Sequence, residues 1–393
     1  MASEHVDVLI LGAGVSGIGA ACHLTRACPG KSYAILERRQ AIGGTWDLFR
    51  YPGIRSDSDM FTFGYSFRPW NETEVLADGP SIKKYVAETA AEYGVDKHIR
   101  FGMYARTASW SSEQGLWTID VRDEATGTRK SFTAKFLIAC TGYYNYDQGY
   151  RPTFAGEDEF NGTIVHPQHW PEDLDYRGKR VVVVGSGATA VTLVPAMAET
   201  AAHVTMLQRS PTYILALPAR DKISESMRRV LPDSLVFRMA RRRNIGLQRV
   251  MYGLSRSRPN VVRSLVLKAA ERQLAGAAEL KHFTPKYDPW DQRLCIVPNG
   301  DLFKTIRSGR ADIVTDTIER FTPNGILLSS GAELEADVIV TATGLDVQML
   351  GGAEVDIDGV PLALNETVTY KSVMLDGVPN AVLVFGYTNA SWT

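Results

Sequence analysis

Cysteine is scarce in this chain: Cys22, Cys28, Cys140 and Cys295 are scattered through 393 residues, and no two form a CxxC pair. That spacing excludes a dithiol redox centre or a zinc ribbon and fits a reducing cytosol. Net charge is nearly absent too, with 43 Lys and Arg against 44 Asp and Glu. The whole-molecule field therefore argues neither for nor against nucleic acid. No apolar run reaches the roughly 18 residues of a spanning helix. The apolar stretch 8–24 is interrupted by four glycines and preceded by Glu4 and Asp7, where a signal peptide needs Lys or Arg. The expectation is a protein neither secreted nor transmembrane, placed in the cytoplasm. There is no GxSxG elbow, no GxxxxGK loop and no Ser-His-Asp order, which removes hydrolase and kinase readings.

What is present is a pattern that occurs twice. Residues 6–11 form a short apolar run, a glycine-rich turn follows, residues 16–26 have helical apolar spacing, and residues 32–36 read as a second strand. Residues 135–140 predict a further buried strand. The pattern restarts at Arg180: strand 181–184, turn 185–187, helix 188–199, strand 203–207. Two such starts predict an α/β chain with two dinucleotide-type folds, each a parallel sheet covered on both faces. Between Pro218 and Trp290 the spacing turns helical and glycine thins out. From Arg220 to Arg272 there are 14 Lys or Arg against 4 Asp or Glu, a local excess of +10. Strand patterns return at 311–314 and 336–341, so the second sheet is expected to be split around a helical insertion.

The first turn is Gly12-Ala13-Gly14-Val15-Ser16-Gly17. In such a turn the first glycine permits the tight bend, the second lets backbone approach a pyrophosphate, and the third lets helix and strand pack closely. The helix N-terminus attracts the phosphates. Glu37 lies 20 residues beyond Gly17, at a strand end where a carboxylate accepts from a ribose hydroxyl. The second turn is Gly185-Ser186-Gly187-Ala188-Thr189-Ala190, with alanine in the third place. Its following strand ends in Gln208-Arg209, and a guanidinium there welcomes a 2′-phosphate that an acid would repel. An acidic first site and a basic second one point to FAD first and NADPH second.

Two longer segments carry a family likeness. Gly43-Gly44-Thr45-Trp46, followed by Tyr51-Pro52-Gly53 and Asp57, resembles the G-G-x-W-x4-Y-P-G-x3-D motif of Baeyer–Villiger monooxygenases. Phe160, Gly162, His166 and Trp170-Pro171 fill every fixed position of that family's F-x-G-x3-H-x3-W-P fingerprint. The likeness runs from about residue 5 to the end. Tyr143–Asp147, His166–Asp175 and Gly386–Trp392 are most similar to its ethionamide-activating branch.

This resemblance implies a class B flavin monooxygenase that uses FAD, NADPH and dioxygen to convert ketones to esters through a peroxyflavin, with S-oxygenation of thioethers or thioamides as a second activity. Ser16, Glu37, Thr45, Trp46 and Asp47 are then expected around FAD. Arg55, Ser56 and Asp57 are expected where flavin meets nicotinamide, and Thr189, Gln208 and Arg209 on the rest of NADPH. The catalytic arginine of the family falls on Arg293, with Asp57 as the carboxylate that orients it. A fixed guanidinium stabilises an oxyanion without giving up its proton, and Arg–carboxylate pairs are often bidentate. Two departures stand out. Gln292 occupies the place of a lysine that helps bind the 2′-phosphate, which softens the preference over NADH. Chains of the family also usually continue well past the Gly386–Thr393 stretch, so the C-terminal part of the family fold is expected to be missing.

The expected organisation is an FAD-binding domain at 1–143, a linker with the fingerprint at 144–179, and an NADP-binding domain at 180–217 and 291–345. The helical insertion occupies 218–290, and residues 346–393 return to the first domain. His166 and His169 sit in a proline-rich linker without cysteine, which argues against a metal; His166 instead pins the linker by hydrogen bonds. The basic insertion is expected to be a solvated face, with a peripheral contact to the inner face of the membrane as the sharper alternative. No nucleic-acid module accompanies it. Two rivals remain: an N- or S-oxygenating flavin monooxygenase without ester formation, and a non-catalytic flavin-binding protein.

Overall fold

The computed structural model describes residues 4–292 and 294–384, and the chain divides into two compact units. Of the described residues, the first comprises 4–48, 80–148 and 345–384, and the second comprises 49–79, 149–292 and 294–344. Residues 49–79, which the sequence reading keeps with the FAD-binding domain, group with the second unit.

In the first unit, β1 (Glu4–Leu11) and β2 (Tyr33–Glu37) pair in parallel, joined by α1 (Val15–Ala27). All five residues of β2 are buried, as expected of a central strand covered on both faces. Helix α1 lays Gly17, Ile18, Ala21 and Cys22 inward. After α2 (Gly79–Glu92) comes β3 (Ile99–Phe101), which extends the parallel run beside β2. Then β4 (Met103–Ser111), β5 (Leu116–Asp123) and β6 (Arg129–Ala139) form an antiparallel meander whose last strand also pairs in parallel with β1. The first sheet is therefore mixed, which corrects the expectation of a purely parallel one. The cause is legible in β5, where Trp117, Ile119 and Val121 alternate with polar residues and only one face is buried. Trp110 and Trp117 are cross-strand partners with rings 5.6 Å apart, and they fill the core with Leu9, Leu36 and Phe132.

In the second unit β7 (Thr163–Val165), β8 (Arg180–Val184), β9 (His203–Gln208), β10 (Ala311–Thr315) and β11 (Val338–Thr341) form a parallel sheet in the order β10-β9-β8-β11-β7. Helix α3 (Ala188–Met197) follows β8. The sequence between β9 and β10 includes α4 (Asp233–Ser257) and α5 (Pro259–Leu274). Pro259 takes the first turn of α5, where its missing N–H costs nothing, and so separates the two helices. Several basic residues of this insertion are engaged. Arg241 donates to the carbonyls of Phe61, Thr62 and Gly64, Arg228 to those of Trp70 and Asn71, and Arg243 pairs with Asp221. The chain then returns to the first sheet, where β12 (Glu354–Ile357) pairs with β4 and β13 (Ala381–Leu383) with β6. Among the described residues no helix is long and apolar enough to cross a membrane.

Candidate functional site

The first glycine turn is built from backbone approach. Gly12 sits at φ +100°, and a Cβ there would meet the Cys140 carbonyl oxygen at 2.5 Å. A Cβ on Gly17 would stand 1.8 Å from the Gly12 carbonyl oxygen, so α1 can seat against β1 only without one. Gly14 differs: its Cβ would have Gly44 Cα at 3.6 Å as its nearest neighbour, an ordinary contact. Gly14 precedes α1 and no side chain caps it, which leaves the helix N-terminus open to an anion. Ser16 is exposed on the first turn of the helix.

Glu37 closes the turn from below. Its Oε2 accepts from Ala13 N–H at 2.7 Å and its Oε1 from Arg39 N–H at 2.8 Å. Only 4% of the residue is exposed, and burial raises its pKa above the ordinary carboxylate value despite those two donors. Each oxygen keeps a lone pair for a ribose hydroxyl.

The Gly43–Leu48 segment stacks on this turn, with Gly43 N–H donating to Ala13 O at 3.1 Å. Asp47, expected at the flavin, is buried and paired with Arg39 (Nε at 2.8 Å) and with Lys83 of α2 (2.6 Å). Burial works to raise its pKa, yet the two cations prevail and hold it below the ordinary carboxylate value. Asp47 therefore fixes the segment in place. Thr45 bonds to the hydroxyl of Tyr146, whose pKa burial pushes upward. Arg38 holds Asp147 through both carboxylate oxygens, at 3.1 and 2.5 Å. Lys83 and Arg38 are not singled out by the sequence, and Tyr146 only as part of the Tyr143–Asp147 segment, because nothing local to them marks a partner more than 30 residues away.

The second turn repeats the plan with different chemistry. Gly185 has φ +144°, and its Cβ would lie 2.3 Å from the Ala342 carbonyl oxygen. No side chain caps Gly187 ahead of α3. Ser186 accepts from the Thr212 hydroxyl at 3.1 Å, Ala188 is exposed, and Ala190 is fully buried. Thr189 bonds to the buried hydroxyl of Tyr51, whose pKa burial pushes up to about 12. Gln208 ends β9. Its amide is turned inward and donates to His282 O at 2.7 Å and Thr315 Oγ1 at 2.8 Å. Arg209 is exposed, and among the described residues it has no hydrogen-bond or ion-pair partner.

Tyr51 and Gly53 tie residues 49–79 to α3. A Cβ on Gly53, at φ +75°, would touch Ala196 Cβ at 2.8 Å and Thr192 O at 3.0 Å. Arg55 pairs with Asp301 through Nη1, while its buried Nη2 has no partner among the described residues. Ser56 is buried, and its hydroxyl accepts from Ser58 N–H and donates to Ser58 O, both at 3.0 Å. Asp57 has its pKa raised by burial, against the opposing pull of Arg55. Arg293 lies outside the described residues. Beyond it, Leu294–Pro298 pairs in parallel with Tyr213–Leu217.

The fingerprint residues are packed. Phe160 meets Phe321 edge-on with centroids 6.4 Å apart, and Trp170 meets Tyr176 in the same way. A Cβ on Gly162 would lie 2.4 Å from Asp337 O. The His166 ring lies so close to Gly149 that a Cβ there would sit 1.9 Å from its Cε1. Nδ1 of His166 accepts from Gln168 N–H at 3.2 Å, and burial lowers the ring's pKa. Among the described residues no cluster of His, Cys, Asp or Glu is arranged to hold a metal.

Comparison with known proteins agrees with this geometry. Residues 5–374 match the model of the flavin-binding monooxygenase-like family. The chain is 60% identical over 395 residues to the FAD-containing monooxygenase MymA of Mycobacterium tuberculosis, covering all of this chain and 80% of that protein. It is 57% identical over 393 residues to the FAD-containing monooxygenase EthA of Mycolicibacterium smegmatis, with the same coverage. Among solved structures, an open cyclohexanone monooxygenase superposes with a TM-score of 0.82 at 21% identity, covering 99% of this chain and 84% of that one. OTEMO in complex with FAD and NADP superposes at 0.76 and 25% identity, covering 97% and 80%.

Proposed function

This chain belongs to the flavin-binding monooxygenase-like family, and on that premise we propose that it is an NADPH- and dioxygen-dependent Baeyer–Villiger enzyme. It converts ketones to esters and also oxygenates sulfur in thioethers or thioamides. The balance is ketone, dioxygen, NADPH and a proton going to ester, NADP+ and water. FAD, when bound, supplies the oxygen-activating redox chemistry. The observation that carries this reading is the pair of glycine turns with opposite chemistry, one ending on the buried Glu37 and the other on the exposed Arg209.

The residues fit both groups. Gly12 and Gly17 bring α1 against β1, bare Gly14 leaves the turn open to a pyrophosphate, and Glu37 accepts from the ribose. At the second turn Gly185 gives the close bend, α3 presents its N-terminus, and Arg209 takes the 2′-phosphate. Thr45, Trp46 and Asp47 frame the flavin side, with Asp47 acting through Arg39 and Lys83. Asp57 and Arg293 are assigned the orienting and oxyanion-stabilising roles. A guanidinium suits the second role because it keeps its proton at every working pH. His166 is assigned to hold the fingerprint linker against Gly149.

The test is NADPH consumption by the FAD-loaded chain with a long-chain ketone, assaying ester and hydrogen peroxide together. Ester formed in step with NADPH supports the proposal. Sulfoxide from a thioether with no ester from any ketone would replace it with the N- or S-oxygenating reading. A yellow protein that NADPH does not bleach would leave only a flavin-binding role.

A further inference from the structure

We infer that His282 is a second determinant of nucleotide choice, presenting an N–H donor to the adenosine 2′-phosphate beside Arg209. The inference rests on the reading that NADPH occupies the second turn.

The geometry begins at the carboxyl ends of two neighbouring strands. Gln208 ends β9 and Thr315 ends β10, and the two are register partners. In a parallel dinucleotide sheet, the strand after the glycine turn ends beside the adenosine ribose. His282 belongs to the single turn Leu280–Phe283 and is fastened to this edge at two points. Its carbonyl accepts from Gln208 Nε2 at 2.7 Å, and its ring Nδ1 lies 2.7 Å from Thr315 Oγ1.

This network accommodates a ring proton on Nε2. A carbonyl can only accept, so the Gln208 amide must turn its NH2 toward His282 O. The same nitrogen donates to Thr315 Oγ1 at 2.8 Å. That hydroxyl, its oxygen having accepted, has its own proton free for His282 Nδ1. With that proton donated to Nδ1, the ring proton of neutral His282 sits on Nε2. The ring is half-buried, and among the described residues Nε2 has no hydrogen-bond partner and is not sealed from solvent. A ring nitrogen open to solvent is thus held at the strand edge where Arg209 begins.

The charged groups around the ring are Lys281 and Glu279 on its own segment and Asp312 on β10. Lys281 is paired with Glu279 at 2.8 Å. Burial first and Lys281 second lower the ring's pKa, and a dianionic phosphate beside the ring would raise it again. Sequence reading passed over His282 because its partners lie 33 and 74 residues away.

Calorimetry on the full chain with 2′,5′-ADP and with ADP tests this, since the two ligands carry a 2′- and a second 5′-phosphate respectively. In His282→Asn the amide oxygen can still meet Thr315, while its NH2 stops short of the Nε2 position. We expect 2′,5′-ADP to bind about tenfold more weakly to this variant, with ADP binding unchanged. Arg209→Ser should lose the preference for 2′,5′-ADP. If Arg209→Ser loses it and folded His282→Asn keeps it, the role of His282 is overturned while the NADPH reading stands. If the wild-type chain shows no preference at all, the NADPH reading fails and this inference with it. Should His282→Asn fold poorly, NMR titration of the wild-type His282 ring decides. Its pKa must rise on saturation with 2′,5′-ADP and stay put with ADP, and an unmoved value overturns the proposal.

Discussion

The two glycine turns share one backbone plan and differ in how closely the helix seats. At the first, a Cβ in the third position would stand 1.8 Å from the Gly12 carbonyl oxygen, so only glycine fits. At the second, Ala190 occupies that position fully buried. They differ again at the next strand end. Glu37 keeps its carboxylate at the turn, held by two backbone N–H groups, whereas Gln208 turns its amide inward and leaves the following Arg209 exposed. The fold thus demands one close approach at each turn, through Gly12 and Gly185. The third position and the strand-end residue are free to specialise.

The largest effect should come from making the first turn resemble the second. Gly17→Ala forces a methyl into the Gly12 carbonyl, and overpacking of backbone by this much should cost more than about 3 kcal/mol. Flavin retention on gel filtration and thermal unfolding should both collapse. The reverse exchange, Ala190→Gly, removes only a methyl and adds backbone freedom, for a loss of about 1 kcal/mol. A Gly17→Ala chain that stays yellow with wild-type melting would show that the difference between the turns is not steric.

How much of this was legible in advance follows from which signals are local. Both turns, Glu37, Arg209 and the order of strands around them are carried by short runs of adjacent residues, and the structure places them as strand, turn and helix. The meander was missed because residues 103–123 mix polar and apolar side chains in alternation, and only the end of β6 reads as a continuous apolar run. The inward bonds of Gln208 are not legible in the sequence, because a strand-end amide looks alike whether it faces a nucleotide or a neighbouring strand. Its partners, His282 and Thr315, lie 74 and 107 residues ahead. Asp47 was identified as a site residue, but its cations are visible only once α2 brings Lys83 to it.

Within the first turn, Asp47 and Glu37 offer a second contrast, two buried carboxylates driven in opposite directions. Asp47 is ionised by its cations, so removing its charge leaves Arg39 and Lys83 facing a neutral amide. Both cations reach solvent, which tempers the penalty. We expect Asp47→Asn to lose about 1–3 kcal/mol and to loosen flavin binding, measured by urea unfolding and flavin titration. The stabilisation from Asp47 is present above the unfolded pKa of 3.8 and disappears as pH falls through its lowered folded value. Unchanged unfolding in Asp47→Asn would reduce this ion-pair cluster to decoration.

Glu37 should give the smallest effect and the opposite sign. Its folded pKa is raised above the ordinary value of 4.5, so the folded chain takes up this proton at higher pH than the unfolded chain does. Over the window from 4.5 up to the raised value, the native state binds more protons, and stability must rise as pH falls. The slope cannot exceed about 1.4 kcal/mol per pH unit for one group. Glu37→Gln removes the titration and keeps the shape, although one backbone N–H then faces an amide NH2 and loses its acceptor. Urea unfolding of flavin-free protein at pH 5 and pH 7 isolates the term, because other groups cancel between the two chains. The wild type should gain on Glu37→Gln as the solution is acidified. If it loses ground instead, the two N–H donors outweigh burial, and Glu37 behaves like Asp47 after all.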